Sequence, residues 1–231
     1  MKKNIYHVLS IFMLCAVLVG FLPGDVVFAK EAAYNPKHIV AEIKKEDVHL
    51  YYDKKADGML QGFYLKSGNK TKYFDWSSID QKAFYPEIKI LDSKYIAVIC
   101  TTGKGTGVNE EKLHIINRSN LKTVAFDNPV DVVKSKVKFD IKAPKVSVKI
   151  DNKTWNGSFD DIDISHFNKT VGYESIIIYD VENDGFTVRL SAQITPAAFI
   201  GDIEIQYYLN EKKTAFVPKY INFNFYKTEI K

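Results

Sequence analysis

Cysteine is almost absent from this chain of 231 residues, which holds only Cys15 and Cys100. Cys15 falls in an N-terminal segment read below as removed, so Cys100 is left alone and no intramolecular disulfide can form. Stability must then come from a packed core, for which 46% hydrophobic and 13% aromatic residues are ample. Surplus charge is scarce too. The formal net charge is +4, and losing Lys2, Lys3 and Asp25 with the leader lowers it to +3. So mild a balance argues against a nucleic-acid partner, which calls for clustered Lys and Arg. No stretch longer than a turn or two has a 3.6-residue apolar period, and no repeat of fixed length recurs, which tells against a full propeller. The Gly-x-Ser-x-Gly elbow of hydrolases is missing. Gly103-Lys104 lacks the upstream glycine and the following Ser or Thr of a phosphate-binding Walker loop.

What is present begins with an address. Met1-Lys2-Lys3 is a basic start, Val8 to Leu22 an apolar run, and Val27-Phe28-Ala29 a small-residue cleavage site. The run is about 15 residues, short of the roughly 20 that a spanning helix needs. Residues 1–29 are therefore expected to be a secretory signal peptide, with no membrane span after cleavage. Leu14 before Cys15 is not the small residue that lipidation favours. The expected location is secreted, extracellular or cell-wall associated.

Beyond the leader the pattern is that of strands. From Ile39 to Phe74 alternating apolar runs are separated by Asp57-Gly58 and Ser67-Gly68-Asn69, both hairpin signals. Tyr95 to Thr101, YIAVICT, reads as a buried central strand. Cys100 within it is expected to be a small hydrophobe. The segment from Thr101 to Asn109 carries glycine at 103, 105 and 107, and a returning strand resumes at Leu113. Exposed amides in such a loop can form an anion-binding nest, with Lys104 adding charge; a long hairpin connection is the plainer alternative. The candidate binding residues are Thr101, Thr102, Gly103, Lys104, Gly105, Thr106, Gly107 and His114.

Phe74-Asp75-Trp76, Tyr85-Pro86-Glu87, Gly105-Thr106-Gly107 before His114, Asn128-Pro129 and Ile200-Gly201-Asp202 together resemble a group of uncharacterised secreted proteins of Gram-positive bacteria. Their central stretch is similar to the FG-GAP or VCBS type of β-repeat. The resemblance implies a β segment and brings no activity with it. Such repeats carry a calcium loop before the strand; here Leu91-Asp92-Ser93-Lys94-Tyr95 supplies one acid.

The C-terminal half continues in strands. Lys136 to Lys142 and Lys145 to Asp151 alternate strictly, with a change of inward parity at Ala143-Pro144. A tight hairpin there would set Lys142 against Lys145 and Lys138 against Lys149, so the chain is expected to turn a corner or change sheet. The outward lysines can attract an anionic wall polymer or membrane, or can merely guard a sheet edge. A hairpin centred on Asp184-Gly185 should set Asp180 opposite Arg189, Val181 opposite Val188 and Tyr179 opposite Leu190. Two further strands, Ile203 to Leu209 and Tyr220 to Phe225, close the chain.

Acidic clusters at Asp160, Asp161 and Asp163 and at Asp180, Glu182 and Asp184 lack the full calcium-loop pattern, so no metal or cofactor is expected. Asp163, Ser165 and His166 are triad residue types but nearly adjacent, which is not how a triad is assembled. The fold expected is all-β, an antiparallel meander over 30–127 with the glycine-rich loop, followed by a sandwich-like region over 128–231. Whether these are one domain or two stays open. The function expected is a secreted, non-enzymatic β domain that binds an extracellular or cell-wall ligand. Alternatives are a carbohydrate- or cell-wall-binding module using Trp76, Trp155 or the lysines, and a secreted hydrolase with His114 or His166 as base.

Overall fold

A computed structural model describes residues 34–226 of the chain; the expected signal peptide at residues 1–29 lies outside the described residues. The fold is all-β. Four antiparallel strands, β1 (Ile39–Ile43), β2 (Val48–Ala56), β3 (Met59–Ser67) and β4 (Lys70–Ile79), form one sheet in chain order. Asp57-Gly58 and Gly68-Asn69 are its two-residue turns, as their sequence signals require.

The larger sheet holds β5 (Glu87–Leu91), β6 (Tyr95–Gly105), β7 (Val108–Asn117), β8 (Thr123–Val124), β12 (Ile176–Val181), β13 (Gly185–Gln193), β14 (Phe199–Leu209) and β15 (Phe216–Phe225). Its order is β15-β14-β13-β12-β7-β6-β5, with β8 also on β7. The pairing of β12 with β7 is parallel, so this sheet is mixed. Strands from both sides of residue 128 share it, and no sheet boundary coincides with the division expected there. Between β8 and β12 the chain makes the helix α1 (Pro129–Lys136) and a three-stranded sheet ordered β11-β10-β9, from β9 (Val137–Lys142), β10 (Lys145–Ile150) and β11 (Lys153–Ser158). The helix α1 departs from the strands expected over 128–231, and Asn128-Pro129 fixes its start. Asn128 accepts the Val130 N–H at 2.9 Å and proline occupies the first helical turn, where its missing N–H costs nothing.

β6 is buried on both faces. Successive strand side chains point opposite ways, and here Ile96, Val98 and Cys100 join a core with Leu50, Leu60, Phe63 and Leu65 of the four-stranded sheet. Tyr95, Ala97 and Ile99 join a second core with Val188, Leu190, Ile203, Phe186 and the inward side chains of β10. β7 follows the same division, with Leu113 and Ile115 in the second core and Ile116 in the first. Arg118 fastens its end to the four-stranded sheet, donating to the Glu46 carbonyl and carboxylate at 2.8 Å each.

Two turns depart from expectation. At Ala143-Pro144 the chain does not turn a corner; β9 and β10 form a tight hairpin with Lys142 opposite Lys145 and Lys138 opposite Lys149. The parity change is what a two-residue turn produces, and it puts Val137, Phe139 and Ile141 on the same face as Val146, Val148 and Ile150. Burying such side chains is worth about 1.5–3 kcal/mol each. The exposed lysine pairs cost less than about 1 kcal/mol apiece, so the hairpin wins. In the β12–β13 hairpin the register is shifted by two residues: Ile178 faces Arg189, Tyr179 faces Val188 and Val181 faces Phe186. The turn centres on Asn183-Asp184. Gly185 belongs to β13, where a Cβ would collide with the Tyr207 carbonyl of β14. A shift of two preserves the inward face, so core patterning could not distinguish the registers.

Truncating Ile96 to alanine should destabilise the fold by about 2–5 kcal/mol, the range for a buried large-to-small change, read from the urea midpoint. Gly185→Ala should also lower the midpoint, whereas Gly105→Ala, with open space around its Cα, should lower it much less.

Candidate functional site

The glycine-rich segment is mostly strand. Gly103 pairs with Glu110, Lys104 with Asn109 and Gly105 with Val108, and a bulge at Thr102 absorbs the register shift. Of the three glycines only Gly107, at the turn, has positive φ, at 72°. An anion nest needs successive unpaired amides, and a paired strand withdraws them. Lys104 lies over the Phe84 ring at 5.2 Å, Thr102 Oγ1 donates to the Glu110 carbonyl at 3.4 Å, and the Thr101 carbonyl accepts the Ser78 hydroxyl at 3.2 Å. Thr106 is exposed at the tip. The segment is the plain hairpin, not a cradle.

His114 sits elsewhere, midway along β7, with its ring stacked on Trp76 at 4.1 Å and 9°. Trp76 also stacks on Phe74 at 4.2 Å, so its ring is absorbed into packing and is not presented as a sugar platform. Trp155 meets Phe223 edge-on at 5.9 Å and is half-buried. Burial, helped by the Lys112 charge, pushes the His114 imidazole down to about 4. It is neutral at ordinary pH.

The site that sequence reasoning missed lies on the free edge of β7. One edge pairs with β6 throughout. The other is shared: β12 pairs with Asn109 and Glu110, and β8 with Ile115 and Ile116. Among the described residues no strand pairs with 111–114 on that edge. Asn109 donates to Ser175 and Asn117 to Lys122 there. Main-chain groups of an antiparallel strand alternate between edges, so Glu111 and Leu113 present theirs on the same side. A cleft of about 480 Å³ opens at this place, lined by Thr102, Glu111, Leu113, His114, Phe126 and Tyr179 among others.

Glu111 compensates for the missing pairing. Its Oε2 accepts the Tyr179 N–H at 2.8 Å, where β12 has left β7. Burial raises its carboxyl above the ordinary value; the Tyr179 amide opposes this, and Glu87 adds to it. Burial and the Glu111 charge likewise push the Tyr179 phenol up. Glu111 shares its strand face with Leu113 and Ile115, whereas His114 points to the opposite face with Ile116. The acid and the imidazole therefore lie on opposite faces of β7, although both reach the cleft. The signal in the sequence was a glutamate at a position whose parity points inward.

Among the described residues the other nucleophile and base types are not assembled either. Asp163 accepts both the Ser165 N–H and its hydroxyl at 2.8 Å, a local turn, with His166 exposed beside it. Cys100 is buried and its thiol is pushed up to about 12 by burial. Among the described residues no group of three or more His, Cys, Asp and Glu side chains could hold a metal ion, and no helix is long and apolar enough to cross a membrane. Comparison with family models, with curated proteins and with solved structures finds no match.

His114 generates a pH dependence. Its folded value lies below the ordinary 6.5, so its contribution is fully present above pH 6.5 and is lost as pH falls through about 4. The loss should reach about 3 kcal/mol by pH 4, at 1.36 kcal/mol per unit. His114→Phe keeps a ring against Trp76 without titrating, and its stability between pH 7 and pH 4 should fall by about 3 kcal/mol less than that of the parent.

Proposed function

We propose that this protein is a secreted, non-enzymatic β domain that acts outside the cell or at its surface by binding a ligand in the β7 cleft. Export is supported by the basic start, the short apolar run and the Ala29 site within residues 1–29. The observation that carries the binding reading is the unpaired edge of β7 at residues 111–114. It offers main-chain donors and acceptors beside the apolar walls of Phe126, Ile177 and Tyr179. Such an edge is where an extended segment can add hydrogen bonds along a strand while its side chains enter pockets. Against catalysis stand the separation of Glu111 from His114 and the packing of Cys100.

Two measurements test this. Full-length protein expressed in a Gram-positive host should be recovered from the medium or wall fraction with Lys30 as its first residue, and removal of residues 1–29 should leave it in the cytosol. The purified chain from Lys30 onward should turn over none of a panel of ester, peptide and glycoside substrates. Turnover abolished by His114→Ala or His166→Ala would replace the binding reading with the hydrolase.

A further inference from the structure

The outer face of the three-stranded sheet concentrates the positive charge of the molecule. Lys138 and Lys149 are cross-strand neighbours, as are Lys142 and Lys145, and Lys136 continues the row from the end of α1. All five are exposed. The acids with them are Asp140 and Asp151. Five lysines against two aspartates leave three positive charges, which equals the whole excess of the chain beyond Ala29; everything else balances. Among the described residues Lys142 alone of the five has an ion-pair partner, Asp140 at 2.7 Å. The Asp140 hydrogen bond and charge raise the Lys142 ammonium above its ordinary value.

Guarding a sheet edge accounts for only part of this pattern. Edge strands carry lysine to block pairing with other chains, and β9 is an edge. Lys145 and Lys149, however, lie on β10, the central strand of the three. They protect no edge, and each stands directly opposite a like charge on β9, which destabilises the hairpin. Two like-charged pairs in which one member guards no edge are explained by an anion that bridges the pairs.

The geometry points to a linear polyol phosphate, a polymer of phosphodiesters joined by hydroxyl-bearing spacers, as the ligand of this face. The two lysine pairs are four residues apart along the strands, roughly 13 Å at the strand rise. Between them run Asp140, Ser147 and Asn156, aligned across β9, β10 and β11. A shallow hollow of about 440 Å³ holds this row together with Lys142 and Lys145, and another of about 270 Å³ holds Lys136, Lys138 and Lys149. Phosphates at the two lysine pairs would leave an uncharged, hydroxylated spacer over the carboxylate, hydroxyl and amide in the middle. A polymer whose charges recur at shorter intervals, as in polyphosphate or an oligonucleotide, would set one against Asp140. The exposed large hydrophobic side chains among the described residues, Ile39, Tyr73, Ile164, Tyr220 and Tyr226, all lie off this sheet. The face thus has no apolar anchor for a membrane and no ring on which a nucleobase could stack. It is on a different sheet from the β7 cleft, and binding here does not depend on any ligand there.

The test is titration of the chain from Lys30 onward with poly(ribitol phosphate), whose five-carbon spacers hold successive phosphates well apart, and with inorganic phosphate, polyphosphate and oligo-dT at matched phosphate concentration in 0.15 M salt. Poly(ribitol phosphate) should bind at least tenfold more tightly than inorganic phosphate, because two pairs engage one chain, and should weaken as salt is raised. Lys138→Gln with Lys149→Gln should cut that affinity at least tenfold while raising the Tm of the free protein, an outcome that a folding defect cannot mimic. Equal affinity for inorganic phosphate, tighter binding of polyphosphate or oligo-dT, or unchanged polymer binding by the double variant would each overturn the assignment. None of these outcomes depends on whether residues 1–29 direct export, so the two readings fail separately.

Discussion

A strand with no face left for water is the constraint on which this structure rests. From Tyr95 to Cys100 every side chain of β6 is buried, alternate residues entering two different cores. Neither core exists unless a separate layer covers it, so residues 39–79 on one side and the C-terminal strands with the small sheet on the other are both obligatory. Among the described residues Cys100 is the lone cysteine and is buried, so apolar burial on these two faces is the dominant favourable contribution. The same arrangement passes to β7, whose alternating side chains are divided between the two cores. That division sets Glu111 and His114 on opposite faces of the strand.

The cleft follows from how β7 is shared. Residues 118–175 leave the sheet after β8, build α1 and the three-stranded sheet, and return to pair β12 in parallel with only the first residues of β7. A gap is left where two partners meet one edge. A buried main-chain amide without a partner is costly, and Glu111 supplies one for Tyr179 with its side chain. The carboxylate is itself penalised by burial. Because its folded value is raised, it contributes most when protonated and loses that contribution as pH rises through the folded value. A closed ladder would avoid this cost, and it would also abolish the cleft.

Local signals were read well where they were local. The Asp57-Gly58 turn, the Tyr95 strand and the buried Cys100 depend on a few neighbouring residues, and the structure has all of them. Glycines misled where their reason lay in another strand. Gly185 serves the approach of the Tyr207 carbonyl and not a turn, and Gly103 and Gly105 sit within a ladder. At Ala143-Pro144 the exposed lysine pairs cost little in water, and the six apolar side chains that the hairpin turns inward together outweigh them.

Period-two patterning and turn chemistry by themselves determined that this chain is all-β, where most strands begin, and which side chains face inward, because each of these is settled by residues a few positions apart. Only the tertiary structure decided which strands lie side by side, that β7 serves two partners on one edge, and that lysines from neighbouring strands gather on one exposed face. Those outcomes depend on contacts between residues far apart in the chain. A pattern that repeats every two residues is equally satisfied by any register that keeps the same side inward.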